Sequence, residues 1–67
     1  MTLTLNGSER SFDSERLTIP ELLKALDLEN FPVLVEVNRQ ALLKSEWADQ
    51  GLKDGDEVEI VKMVAGG

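Results

Sequence analysis

Residues 2 to 6, TLTLN, alternate polar and apolar side chains, which places Leu3 and Leu5 on one face of a strand. Asn6 and Gly7 follow, the pair best suited to the two positive-φ positions of a type I′ turn. A return strand through Ser11 and Phe12 completes a predicted hairpin. In LTIPELLKALDL the period changes. Ile19, Leu22, Leu23 and Leu26 recur at helical spacing and line one face of a helix. Thr18 stands where it can cap the first turn, Glu21 can reach back to it, and Leu17 can pack on Leu22 as a hydrophobic staple. Pro20 falls within that turn, where its missing N–H costs no hydrogen bond. Asn30 and Pro32 place the helix end soon after Leu28, because Asn tolerates the left-handed conformation and Pro disfavours helix in the residue before it.

The run VLVEV, residues 33 to 37, is dense in β-branched side chains and predicts a strand buried on at least one face. Asn38, Arg39 and Gln40 make a turn, and Ala41, Leu42 and Leu43 a short strand. SEWADQ reads as one helical turn capped by Ser45, with Trp47 structural. Asp54 and Gly55 turn the chain into the longest strand, residues 57 to 64, where Val58 and Ile60 share one face and Val61 and Met63 the other. The order of elements predicts an α+β fold: a mixed sheet of four to five strands with one main helix on one face and the other face open. Parallel pairing of the last strand with the first would put both in the middle, the β-grasp (ubiquitin-like) arrangement. Residues 1–64 form this domain. Residues 65–67 are expected to be a mobile tail, since Ala65, Gly66 and Gly67 have neither β-propensity nor anything to bury.

Composition narrows the chemistry. The chain has no Cys, His or Tyr, so the usual nucleophiles and general bases near neutral pH are missing and self-contained catalysis is not expected. The same absence removes disulfides and the ligands of a structural zinc site. Thirteen acidic residues against seven basic give a net charge of −6, which repels phosphate backbones and disfavours nucleic acid. A basic protein partner fits that charge, as does plain solubility. The first residues, MTLTLNGSER, lack the basic leader and apolar run of a secretory signal. No stretch approaches the roughly 20 apolar residues needed to cross a bilayer. A cytoplasmic location away from membranes is expected.

The end of the chain, VAGG, holds the most informative chemistry. Glycine has no Cβ, so Gly66 and Gly67 could thread a narrow channel and let a partner enclose the terminal carboxylate from all sides. Beyond Val64 the reach is roughly 10 Å, at about 3.3 to 3.6 Å per residue. A Gly-Gly pair at a chain end is by itself weak, because glycines are common there. Here it follows directly on the last strand of a domain that has no other reactive group. A carboxylate is a poor acyl donor and needs activation, most simply by transfer to AMP from ATP. The chain has no Gly-rich phosphate loop followed by a lysine, so it binds no cofactor itself and a partner must hold the nucleotide. Val61 and Met63, with Ala65 and Gly66, are the candidate partner-binding residues, because a single helix leaves one sheet face uncovered. Val61 and Met63 could equally be incidental surface apolars. The DGDE cluster, residues 54 to 57, lacks the further ligands of an EF-hand loop and reads as a turn, so no metal is expected. Phe12 and Trp47 read as core or core rim rather than a stacking platform.

The segment VNRQALLKSEWADQGLKDGDEVEIVKMVAGG closely resembles the sulfur carrier protein of thiamine thiazole biosynthesis, the ThiS family. Length and element order agree along the whole chain, and SEW, LKDGD and the terminal GG together carry the likeness. The resemblance implies a β-grasp fold and a carrier rather than an enzyme. It implies that a ThiF-like adenylating enzyme uses ATP to adenylate Gly67, and that sulfur from a cysteine desulfurase or other persulfide donor displaces AMP. The resulting thiocarboxylate would give its sulfur to thiazole synthase. The small subunit of molybdopterin synthase shares fold and tail but tends to be longer. A ubiquitin-like modifier and a non-catalytic β-grasp binding module are the remaining readings.

Overall fold

The computed structural model describes residues 1–64. Strand β1 (Thr2–Leu5) turns through Asn6 and Gly7, both at positive φ (48° and 85°), into β2 (Ser8–Ser11). β3 (Leu17–Thr18) leads directly into helix α1 (Ile19–Ala25). β4 (Val33–Val37) turns through Asn38 and Arg39, again at positive φ (50° and 69°), into β5 (Gln40–Leu42). A 3-10 helix (Lys44–Asp49), β6 (Gly51–Leu52) and β7 (Glu57–Lys62) complete the described chain.

The main sheet has five strands in the order β2-β1-β7-β4-β5. β7 pairs parallel with β1 and antiparallel with β4, so the sheet is mixed and the first and last strands are both interior. This is the β-grasp arrangement. Alternation decides which face is covered. Leu3 and Leu5, Val33, Val35 and Val37, and Val58 and Ile60 all point to one side, where Ile19, Leu22 and Leu23 of α1 meet them in a continuous buried core. Each such side chain contributes about 1.5–3 kcal/mol on full burial.

The helix start follows the sequence closely. Thr18 Oγ1 accepts from the Glu21 N–H (3.3 Å), and Glu21 Oε1 accepts from the Thr18 N–H (2.9 Å), a complete capping box. The helix end differs from expectation, coming at Ala25 rather than after Leu28. Asp27, not Asn30, takes the left-handed conformation (φ 59°). The Asp27 N–H donates to Lys24 O (3.1 Å) and the Leu28 N–H to Leu23 O (2.8 Å), the Schellman pair that satisfies the last carbonyls while Leu28 packs on the core.

Three further expectations are corrected. Gln40 belongs to β5 rather than to the turn, because a two-residue turn already closes the hairpin with Val37 opposite Gln40. Ser45 does not cap the 3-10 helix: the N-cap is Leu43, whose N–H donates to Glu46 Oε1 (2.7 Å). β7 ends at Lys62, two residues early, although the Met63 N–H still donates to Pro32 O (2.9 Å). One element was not foreseen. β3 and β6 form a separate two-stranded ladder, with Leu17 opposite Leu52, that ties the entry of α1 to the segment after the 3-10 helix.

Candidate functional site

β7 is the last strand before the terminal residues, so what fixes β7 fixes where the described chain ends. Val58 and Ile60 anchor it in the core. Its register on β1 is extended by Asn6, whose Oδ1 accepts from the Ile60 N–H (2.8 Å) and whose Nδ2 donates to Ile60 O (3.2 Å). The amide thus replaces a peptide unit in the ladder where β1 itself has turned away. At the other end, Asn38 Oδ1 accepts from the Glu57 N–H (3.0 Å) and Asn38 Nδ2 donates to Asp56 Oδ1 (3.2 Å).

The DGDE cluster forms the expected turn. Asp56 is buried and its Oδ2 accepts from the Lys53 N–H (2.9 Å), while Asp54 Oδ1 accepts from the Thr2 N–H (2.7 Å) and Gly55, at φ 88°, donates to Thr2 O (2.8 Å). Both carboxylates are occupied by backbone donors at the start of the sheet. No group of three potential metal ligands occurs among the described residues.

Beyond Ile60 the strand changes character. Val61 is 57% exposed, Met63 45% and Val64 88%, and Val61 stands on the face away from α1. Beside Val61 the register places Leu34 of β4, which is 59% exposed and was not singled out from the sequence. Its signal was present in VLVEV, where Leu34 and Glu36 alternate with the buried valines. Lys62 lies over the ring of Phe31, its Nζ 4.7 Å from the centroid, on the flank of the same strand end. Ala65, Gly66 and Gly67, and the expectation that they form a mobile tail, lie outside the described residues.

Hollows mark the surface of the described residues. One, of about 290 Å³, adjoins the end of the described chain and is lined by Met63, Phe31, Leu34, Leu43 and Trp47 among others. The larger, of about 450 Å³, lies between α1 and the 3-10 helix and includes neither Val61 nor Met63. Trp47 borders both and packs partly on the core, and Phe12 also packs partly on the core, so both aromatics sit at the core rim. The indole Nε1 of Trp47 is buried without a hydrogen-bond partner among the described residues.

The described residues hold a short strand end at an apolar rim. Comparison with known proteins gives a consistent picture. The ThiS family profile matches residues 3–67. A thiazole synthase of Paramagnetospirillum magneticum is 40% identical over 67 residues, which is all of this chain but 20% of that protein, so the chain spans about a fifth of its length. The sulfur carrier protein ThiS of Bacillus subtilis is 38% identical over 65 residues, covering 97% of this chain and 98% of the relative. The crystal structure of the thiamine biosynthesis protein (ThiS) from Geobacter metallireducens superimposes with a TM-score of 0.88 at 38% identity, covering 100% of both chains.

Proposed function

The chain belongs to the ThiS family and is a sulfur carrier of thiamine biosynthesis, and from that premise we propose that the carboxylate of Gly67 is the group that carries the sulfur. The observation that supports this most directly is the extent of the family match, which runs through the final glycine of a chain without Cys or His. A carrier of this composition needs a sulfur-bearing group other than a thiol, and a terminal thiocarboxylate is one.

The chemistry divides between the carrier and its partners. A Gly67 carboxylate oxygen attacks the α-phosphorus of ATP on a ThiF-like adenylating enzyme, and pyrophosphate leaves. A persulfide from a cysteine desulfurase or other donor then attacks the acyl carbon, and AMP leaves. Cleavage of the resulting acyl disulfide by a thiol frees the thiocarboxylate, which is the nucleophile offered to thiazole synthase. ATP is bound by the adenylating enzyme, since the carrier has no phosphate-cradling loop. Val61 and Met63 provide the apolar contact on which these enzymes dock, while Ala65 and Gly66 enter a channel that larger side chains would block. The relative that carries a similar segment within a thiazole synthase supports that enzyme as a partner. No helix of the described residues is long and apolar enough to cross a membrane, and partners that use ATP and cysteine sulfur fit a cytoplasmic location.

Pyrophosphate release tests the first step. With the adenylating enzyme and ATP, release should depend on added carrier and vanish when Gly66 and Gly67 are deleted. Equal release with the truncated chain would refute the assignment of Gly67.

A further inference from the structure

β7 is supported unequally at its two edges. On the β4 side its pairing runs out to Lys62, opposite Val33, and the Met63 N–H adds a bond to Pro32 O (2.9 Å). On the β1 side the ladder stops at Val58: Leu5 opposite Val58 is the last pair, and the Asn6 N–H donates to Val58 O (2.9 Å). β1 then turns away through Asn6 and Gly7 at positive φ. Beyond Val58, the hydrogen-bonded support on that side among the described residues is the Asn6 side chain, which accepts from the Ile60 N–H (2.8 Å) and donates to Ile60 O (3.2 Å). One amide thus holds both backbone groups of the last core residue of the strand, for Ile60 is buried whereas Val61, Met63 and Val64 are exposed. Asparagine suits both tasks at this position, because it tolerates the left-handed turn and carries a donor and an acceptor in one planar group.

We propose that Asn6 is a positioning residue for activation of the terminal carboxylate, acting through Ile60. The inference rests on the reading of Gly67 as the reacting group. Without the amide, β7 past Val58 is held from the β4 side alone, and a strand end held on one side by exposed hydrogen bonds opens locally at little cost. Activation requires a Gly67 oxygen to meet the α-phosphorus of ATP while the domain is docked on another protein. Ala65, Gly66 and Gly67 follow Val64, a reach of at most roughly 10 Å, so little slack is available to absorb a displaced strand end. Misplacing a reacting group by about 1 Å can cost on the order of a hundredfold in rate. Asn6 is not among the docking contacts proposed above, so its loss lowers kcat, the rate of the docked carrier, and leaves KM nearly unchanged.

The test separates position from stability. Asn6→Gly removes the amide yet still accepts positive φ, so the turn is kept. Asn6→Asp keeps the acceptor for the Ile60 N–H and loses the donor. Thr18→Ala weakens the helix cap, away from β7, and controls for a simple loss of stability. For each chain, carrier-dependent exchange of labelled pyrophosphate into ATP on the adenylating enzyme gives kcat and KM, and amide hydrogen exchange reports on Ile60, both well below every melting transition. In Asn6→Gly the Ile60 N–H should exchange at least about tenfold faster with the α1 amides unchanged, and kcat should fall about tenfold with KM within about twofold. Asn6→Asp should lie between Asn6→Gly and the natural chain in both, and Thr18→Ala should keep the natural kcat despite a lower melting temperature. Unchanged Ile60 protection in both Asn6 variants would overturn the role of Asn6, as would an effect confined to KM or an equal fall of kcat in Thr18→Ala. A natural chain that supports no exchange removes the Gly67 reading and the Asn6 role with it; equal kcat in Asn6→Gly and an active natural chain removes the Asn6 role alone.

Discussion

Glu21 is exposed, yet its carboxylate accepts from the Thr18 N–H (2.9 Å) and the Thr18 hydroxyl (3.0 Å), and these bonds hold its pKa below the ordinary glutamate value. A carboxyl whose folded pKa is depressed binds fewer protons in the native state than in the unfolded one. Its contribution is therefore present above the ordinary range, about 4.3, and is lost as pH falls through the lower folded value. Melting curves across that acid range should show a smaller pH dependence for Glu21→Gln than for the natural chain, and identical slopes would contradict the capping role. At neutral pH, Thr18→Ala should cost about 1 kcal/mol by denaturant unfolding. Asp56 is the more consequential carboxylate, since it is buried at 6% exposure and serves both the Lys53 N–H and the Asn38 amide. Asp56→Ala leaves those donors unpaired and should cost about 1–3 kcal/mol by the same measurement. No change would mean that the turn holds without it.

At the scale of elements, the parts read correctly from sequence are those whose cause is local. The capping box at Thr18 and Glu21, the positive-φ turn at Asn6 and Gly7, and the alternation in VLVEV each lie within a few residues, and each appears as expected. Leu23 belongs to this group: it is 3% exposed against the sheet, and Leu23→Ala should destabilise the chain by about 2–5 kcal/mol. An unchanged unfolding midpoint would remove that helix face from the core. What was not legible depends on distant partners. Asp27 ends α1 because Leu28 finds the core, which outweighs the stop signals at Asn30 and Pro32. The β3–β6 ladder joins Leu17 to Leu52, and two-residue strands show no periodicity. The candidate site divides in the same way. The facing of Val61 followed from alternation, whereas its neighbour Leu34 required the register of β4 on β7.

At the scale of the whole molecule, the residues that build the fold lie before the glycine proposed to react. The core, the ladder to β1, the amide of Asn6 and the Asp56 network all act on residues up to Ile60, and the apolar character of the chain beyond it faces outward. Deleting Gly66 and Gly67 removes no side chain that could be buried, so the melting temperature should stay nearly constant while activation is lost. A clear fall in melting temperature would show that the end group supports the fold. Membership of the ThiS family agrees with the role proposed above for Gly67 in a small domain without thiol or imidazole. The most direct measurement is the intact mass of the carrier after incubation with the adenylating enzyme, ATP, cysteine and a desulfurase. The account predicts a gain equal to sulfur replacing one oxygen, located by fragmentation at Gly67; an unaltered mass, or sulfur placed elsewhere in the chain, would contradict it.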